Sequence, residues 1–326
     1  MTSPRRAVQL AVCVLALLTV SLKADTQKYD ALFAFGDSLA DNGNDFIASQ
    51  SAVPPSVSPH RTYFNGRFSN GYNAFELLWQ MVGGGAAGSA TGLQPFLSLR
   101  AMALNSGVSF AFGGTGTPTI DRTPGGQFLP GLKGQVDMFR GALGPRTVSK
   151  KSLFVIVTGT NDYRSEPPSH PMQPVDSVKN ITDSIELLYD AGAREFLVLD
   201  LPDVGALPNA NPAQSAVTLA HNAALDAGLA ALEGSRKKVQ IYRGRFADAF
   251  LTLPSGINRT TPAIELFAPG QSACLFVDPT GCPDLPEAAF SPSLPFVFWD
   301  IVHPTAGAHS LLAQYLYDVL AHKKEN

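Results

Sequence analysis

Apolar residues in this chain fall into short solid runs that alternate with helical patterns, as in a parallel sheet covered on both faces. The first run, Ala31-Leu32-Phe33-Ala34-Phe35, stops at Gly36 and predicts a fully buried strand. Further strands are expected over residues 106–114, 152–159, 195–199 and 239–242, and the run at 152–159 is the richest in β-branched residues. Helices are expected over 74–82, 135–143, 175–191, 213–232, 246–253 and 304–322. In the first of these Phe75, Leu77, Leu78, Met81 and Val82 form the apolar stripe. Gly192 follows its helix where a left-handed residue closes the last turn. Pro304 is expected at the first helical position, where its missing N–H costs nothing. A polar loop rich in Pro, Ser and Asn fills residues 41–70, and a Gly/Ala/Ser loop fills 83–92. The alternation predicts an α/β fold: a three-layer α/β/α sandwich around a central parallel sheet of about five strands, with right-handed crossovers. No internal repeat and no linker divides it, so residues 25–326 are expected to form one domain.

Composition changes this picture little. Of 326 residues 45% are hydrophobic and 16% charged, enough for a sizeable core, and the net charge of −3 provides no basic face for nucleic acid. The N-terminus adds more. Arg5 and Arg6 precede an apolar stretch at 7–22 and a small residue, Ala24, so residues 1–24 read as a signal peptide, with a signal anchor as the alternative. A secreted, extracellular chain is expected, with no integral membrane span once the signal is removed. Cys13 would leave with that signal. Cys274 and Cys282 remain, in a loop containing Pro and Gly, and an oxidising compartment would join them in a disulfide. Asn180-Ile181-Thr182 and Asn258-Arg259-Thr260 become candidate glycosylation acceptors. Acidic residues are scattered, histidines are not at ligand spacing, and no nucleotide-binding glycine loop follows a strand. Neither a metal nor another cofactor is expected.

Four segments carry candidate chemistry, and each lies at a strand end or just before a helix: Gly36-Asp37-Ser38, Phe110-Ala111-Phe112-Gly113-Gly114-Thr115, Gly159-Thr160-Asn161-Asp162 and Asp300-Ile301-Val302-His303-Pro304. The carboxyl ends of the strands are where an open α/β sheet forms its crevice. These residue types fit nucleophilic acyl transfer. Ser38 needs a base, His303 can supply it, and Asp300 can fix the imidazole tautomer. A tetrahedral oxyanion needs aimed donors, which the Ser38 N–H, the Asn161 amide and a glycine N–H would provide. Gly114 is the favoured glycine, with Gly113 the alternative. The order Ser, Asp, His is that of α/β-hydrolases, yet no G-x-S-x-G elbow occurs in the chain.

The four segments resemble the signature blocks of the GDSL lipases and esterases, the SGNH hydrolases, whose Ser, Gly, Asn and His would be Ser38, Gly114, Asn161 and His303. The run Asn65-Gly66-Arg67-Phe68-Ser69-Asn70-Gly71 is similar to one in the secreted plant-type and thermolabile-hemolysin-like branch, and the likeness extends over about residues 31–315. One departure is Ser109, where many relatives have Asn. The resemblance implies a secreted serine esterase or lipase acting through an acyl-enzyme on Ser38. Lipid acyl esters or carbohydrate acetyl esters, small or polymer-borne, would be its substrates. An acyltransferase on the same fold, or a non-catalytic lipid- or carbohydrate-binding protein, are the alternatives. Asp37, Asp41, Asn44 and Asp162 are expected to hold turns. Arg67 and Asn70 are expected to stabilise their own loop, with substrate binding as the alternative. Tyr63, Phe64 and Phe68 either staple that loop or line a pocket. His60, His170, His221, His309 and His322 read as surface or packing residues.

Overall fold

A computed structural model describes residues 29–322 apart from 125, 164–171, 209, 247–248, 250–255 and 268–283. The proposed signal peptide, His170, Cys274, Cys282 and most of the helix expected over 246–253 lie outside the described residues.

Among the described residues six parallel strands make the sheet, in the order β2-β3-β1-β6-β7-β8. They are β1 (Ala31–Gly36), β2 (Gln94–Pro95), β3 (Gly107–Ser109), β6 (Ser152–Val157), β7 (Glu195–Leu199) and β8 (Gln240–Gly244). The sixth strand, beyond the five expected, is the two-residue edge β2, too short to leave a periodic signal. The run at 106–114 pairs as a strand only over Gly107–Ser109. Beyond that, Phe110 N and Phe112 N still donate to Ala34 O and Gly36 O before the glycines turn the chain away. A separate antiparallel hairpin, β4 (Ile120–Arg122) with β5 (Phe128–Pro130), was not expected from the pattern.

Alternation along β1 builds two cores. Leu32 and Ala34 face one side, packing with α2 (Ala74–Met81), which follows the short α1 (Asn44–Ala48), and with the C-terminal helix α6 (Ala306–His322). Ala31, Phe33 and Phe35 face the other, against α3 (Leu132–Leu143), α4 (Pro174–Asp190) and α5 (Ser215–Ser235). On that second side Phe33, Phe35, Phe110, Phe139 and Phe154 contact one another at ring-centroid distances of 5.0–6.3 Å. Burying such rings contributes about 2–3 kcal/mol each, which makes this aromatic cluster the anchor of the central strand.

Helix ends follow local chemistry. Gly192 has φ +110° and closes α4 as expected. The last helix starts two residues after Pro304, because the Thr305 hydroxyl accepts the Ala308 N–H and caps it. Pro304 instead lies in a bridge with Phe298. Among the described residues no helix is long and apolar enough to cross a membrane.

The chain leaves β1 for β2 and β3 on one side and reaches β6, β7 and β8 on the other. The sheet therefore reverses direction at β1, and the crevice forms at that strand's carboxyl end. Ser38 lies two residues beyond it.

Candidate active site

The turn that carries Ser38 is built from its flanks. Gly36 has φ +144°, and a Cβ there would lie 1.8 Å from Val157 O, so only glycine lets β1 pass β6 at this point. Gln135, at the start of α3, clamps both backbone groups of Gly36. Gly36 N donates to Gln135 Oε1 and Gln135 Nε2 donates to Gly36 O, each at 2.8 Å. Asp37 accepts the Leu39 N–H on its own side chain at 3.0 Å, the turn-holding part expected of it.

Three residues predicted from distant segments meet here. His303 Nε2 lies 2.8 Å from Ser38 Oγ, and His303 Nδ1 lies 2.6 Å from Asp300 Oδ2. Pro304 keeps His303 non-helical, and Trp299 N donates to His303 O at 2.6 Å, closing the turn that carries Asp300 and His303. The Phe68 ring packs on the imidazole, with centroids 5.2 Å apart. Asp300 is almost fully buried. Burial pushes its carboxyl up, but the adjacent His303 and the hydrogen bonds from His303 and Tyr63 outweigh that and hold it below the usual range.

The second and third segments carry the other candidate donors, each with contacts of its own. The Gly113 N–H donates to Asp41 Oδ2 at 2.9 Å. Gly114 is half-buried with φ +70°, and its N–H, like that of Ser38, has no acceptor among the described residues. Asn161 lies in a short 3₁₀ turn after β6, and its Nδ2 donates to Thr115 O at 3.0 Å, which ties it to the glycine segment. Asp162 beside it accepts from Thr117 N, Thr117 Oγ1 and Ser177 Oγ and so fixes the same two loops.

Beneath the glycine segment lie two buried carboxyls. Asp41 accepts from the backbone N–H groups of Gly43, Asn44, Asp45 and Gly113. Burial nevertheless raises it to about 6, against the pull of those four donors. Asp45 is raised to about 8, by burial first and by Asp41 second, with Gln127 opposing. Asn44 donates to Ser109 O and Ala111 O and accepts from Leu97 N, pinning the loop as expected.

Other predicted residues lie elsewhere. Arg67 forms a two-point pair with Glu76, and Asn70 bonds Ala289 O, Ser291 O and Ala306 N, so both hold the loop together. His221 and His309 are buried and lowered by that burial to about 4 and about 3. Asn180 lies within α4, and its amide nitrogen donates to Thr117 Oγ1 at 3.1 Å, where a glycan would have to attach. Asn258 holds a turn by accepting from Thr260 N and Thr261 N. Sequence reading passed over Gln135, and it left Tyr63, which bonds Asp300, between stapling and pocket lining. Neither residue carries a local signal, since their partners are 99 and 237 positions away.

Comparison with known proteins places the chain in a family. One similar protein, a GDSL esterase/lipase of Arabidopsis thaliana, is 32% identical over 225 residues, which cover 60% of this chain and 59% of that protein's length. GDSL esterase/lipase 6 of the same plant is 25% identical over 359 aligned positions, covering 97% of this chain and 94% of the relative. Among solved structures, a Corynascus thermopiles (Myceliophthora fergusii) carbohydrate esterase family 2 enzyme with a carbohydrate-binding domain aligns with TM-score 0.48. It is 14% identical, covering 91% of this chain and 67% of that one. The sequence profile described as GDSL-like Lipase/Acylhydrolase matches residues 32–316. The chain therefore belongs to the GDSL-like lipase/acylhydrolase family and is a carboxylic ester hydrolase.

Proposed function

We propose that this protein is a secreted serine esterase or lipase whose acyl-enzyme forms on Ser38. The observation that carries the reading is the continuous line Ser38 Oγ, His303 and Asp300, with contacts of 2.8 and 2.6 Å. Ser38 Oγ attacks the ester carbonyl carbon while His303 Nε2 takes its proton. Asp300 holds the Nδ1 proton and stabilises the imidazolium. The carbonyl oxygen becomes an oxyanion and accepts from Ser38 N, Gly114 N and the Asn161 amide. One such donor contributes about 3–4 kcal/mol to lowering the barrier. His303 then returns the proton to the departing alkoxide, leaving the acyl group on Ser38. Water attacks that ester and gives a proton to His303; the acyl–Oγ bond then breaks, the carboxylic acid leaves, and His303 returns the proton to Ser38 Oγ.

Assignment of Gly114 over Gly113 is supported by the Gly113 N–H being spent on Asp41. Secretion is supported by the composition of residues 1–24. The substrates in view are lipid acyl esters and carbohydrate acetyl esters. A fluorophosphonate probe is expected to label Ser38 stoichiometrically, with the modified peptide identified by mass spectrometry. Absence of labelling in protein that hydrolyses p-nitrophenyl acetate would reject the acyl-enzyme. A p-nitrophenyl ester series of increasing chain length, run beside acetylated polysaccharide, assigns the ester class.

A further inference from the structure

Asp300 has a second side-chain partner, outside the catalytic segments. The Tyr63 hydroxyl donates to Asp300 Oδ2 at 2.6 Å, the same oxygen that accepts from His303 Nδ1 at 2.6 Å. The other oxygen, Oδ1, accepts from Val302 N and His303 N, both at 2.8 Å. A carboxylate offers about four acceptor sites, so among the described residues the Asp300 set is complete, and Tyr63 supplies the one member from another part of the chain.

Tyr63 is itself held firmly. Its N–H and that of Thr62 both donate to Pro55 O, and Trp299 Nε1 donates to Thr62 O at 3.1 Å. The ring is 2% exposed, in a small core with Ala263, Ile264, Leu285, Ala289 and Trp299. The hydroxyl thus reaches Asp300 from an apolar wall, and burial with the Asp300 charge keeps the phenol protonated, a donor.

We propose that Tyr63 is a positioning residue for ester hydrolysis, acting on His303 through the shared Oδ2 of Asp300. This rests on the proposed roles of Ser38, His303 and Asp300. The donated hydrogen bond fixes the carboxylate plane and draws charge from Oδ2. It therefore tempers how tightly Asp300 holds the protonated imidazole. The other groups near that imidazole are Ser38 and, from α6, His309. His309 accepts from Ala74 N, and burial keeps it neutral, so it adds no competing charge.

The test is kinetic. Tyr63→Phe is expected to lower kcat about tenfold with KM unchanged, as for loss of one hydrogen bond to a charged group. The acid limb of its rate profile is expected to move to higher pH, because the carboxylate now holds the imidazolium more tightly. In an Asp300→Asn background the same change is expected to add no further loss. An unmoved pH profile, or losses that multiply in the double variant, would overturn the inference and assign Tyr63 to packing alone. Should Tyr63→Phe fail to fold, 3-fluorotyrosine installed at position 63 keeps the ring and strengthens the donor. The acid limb is then expected to move to lower pH, and a stationary limb rejects the role. Ser38→Ala run in parallel separates the two readings: an active Ser38→Ala protein rejects the nucleophile, whereas an inactive one beside an unaffected Tyr63→Phe rejects only the tyrosine's part.

Discussion

Asp41 accepts the Gly113 N–H at 2.9 Å, a bond across 72 positions that fastens the glycine segment to the loop after Ser38. This one contact ties the loop of the proposed nucleophile to the candidate oxyanion loop. It also separates two adjacent glycines: one N–H is committed to a carboxylate, while the next has no acceptor among the described residues.

Asp41→Asn replaces an acceptor of four backbone N–H groups by an amide whose nitrogen faces donors. Leaving such groups unpaired in a buried site costs about 1–3 kcal/mol. The expected outcome is a lower midpoint in urea and a reduced kcat, since Gly114 loses its support. Urea melts and p-nitrophenyl ester kinetics check both.

The Asp45 carboxyl ionises near 3.8 in the unfolded chain and is raised to about 8 in the folded one. The folded state then binds more protons between those values. Its contribution to stability is full below about pH 4 and is lost as pH rises toward 8. Asp45→Asn, which imitates the protonated acid, is expected to raise Tm at pH 8 and to change it little at pH 4. Equal shifts at both pH values would reject a buried proton at Asp45. Asp300 is lowered and has the opposite dependence, and comparing variant with wild type at each pH removes its contribution.

Ser38→Ala removes one oxygen from a half-buried side chain. Ester hydrolysis is expected to vanish with the melting temperature within a few degrees of wild type. Circular dichroism and an esterase assay suffice, and full activity would sink the mechanism.

Glu76 is fully buried and bonds Arg67 at 2.6 Å, while also accepting from Asn73 N at the start of α2. Glu76→Gln leaves a guanidinium poorly paired in a buried setting, at a cost of about 3–5 kcal/mol. A large drop in chemical stability is the expected outcome, with substrate KM in the surviving folded fraction unchanged. A raised KM at full stability would instead return Arg67 to substrate binding.

Gly36→Ala sets a methyl against Val157 O at a backbone angle that favours glycine. A loss of at least about 3 kcal/mol is expected, read as poor soluble yield and an early thermal transition. Near-normal stability would mean that β1 and β6 separate more readily than their six-residue register implies.

Local chemistry in the chain determined a good deal. Solid apolar runs specified β1, β6 and β7, because a strand buried on both faces needs no polar alternation. Gly192 ended its helix because few other residues adopt that backbone angle cheaply. The residue types of Ser38, Asn161, Asp300 and His303 marked one kind of chemistry, since each follows a strand or precedes a helix. Short or irregular pieces escaped. β2 has two residues, the β4–β5 hairpin pairs only three positions per strand, and the last helix begins at Ala306, capped by Thr305, rather than at Pro304.

Tertiary structure alone decided how the site is held. It brought Ser38 within 2.8 Å of His303, chose Asp41 as the partner of Gly113, and set Gln135 on Gly36 and Tyr63 on Asp300. A residue's type limits which bonds it can make, and local sequence indicates strand or turn. Which donor meets which acceptor across 72 to 265 positions depends on how the sheet and its loops pack, and no local pattern encodes that.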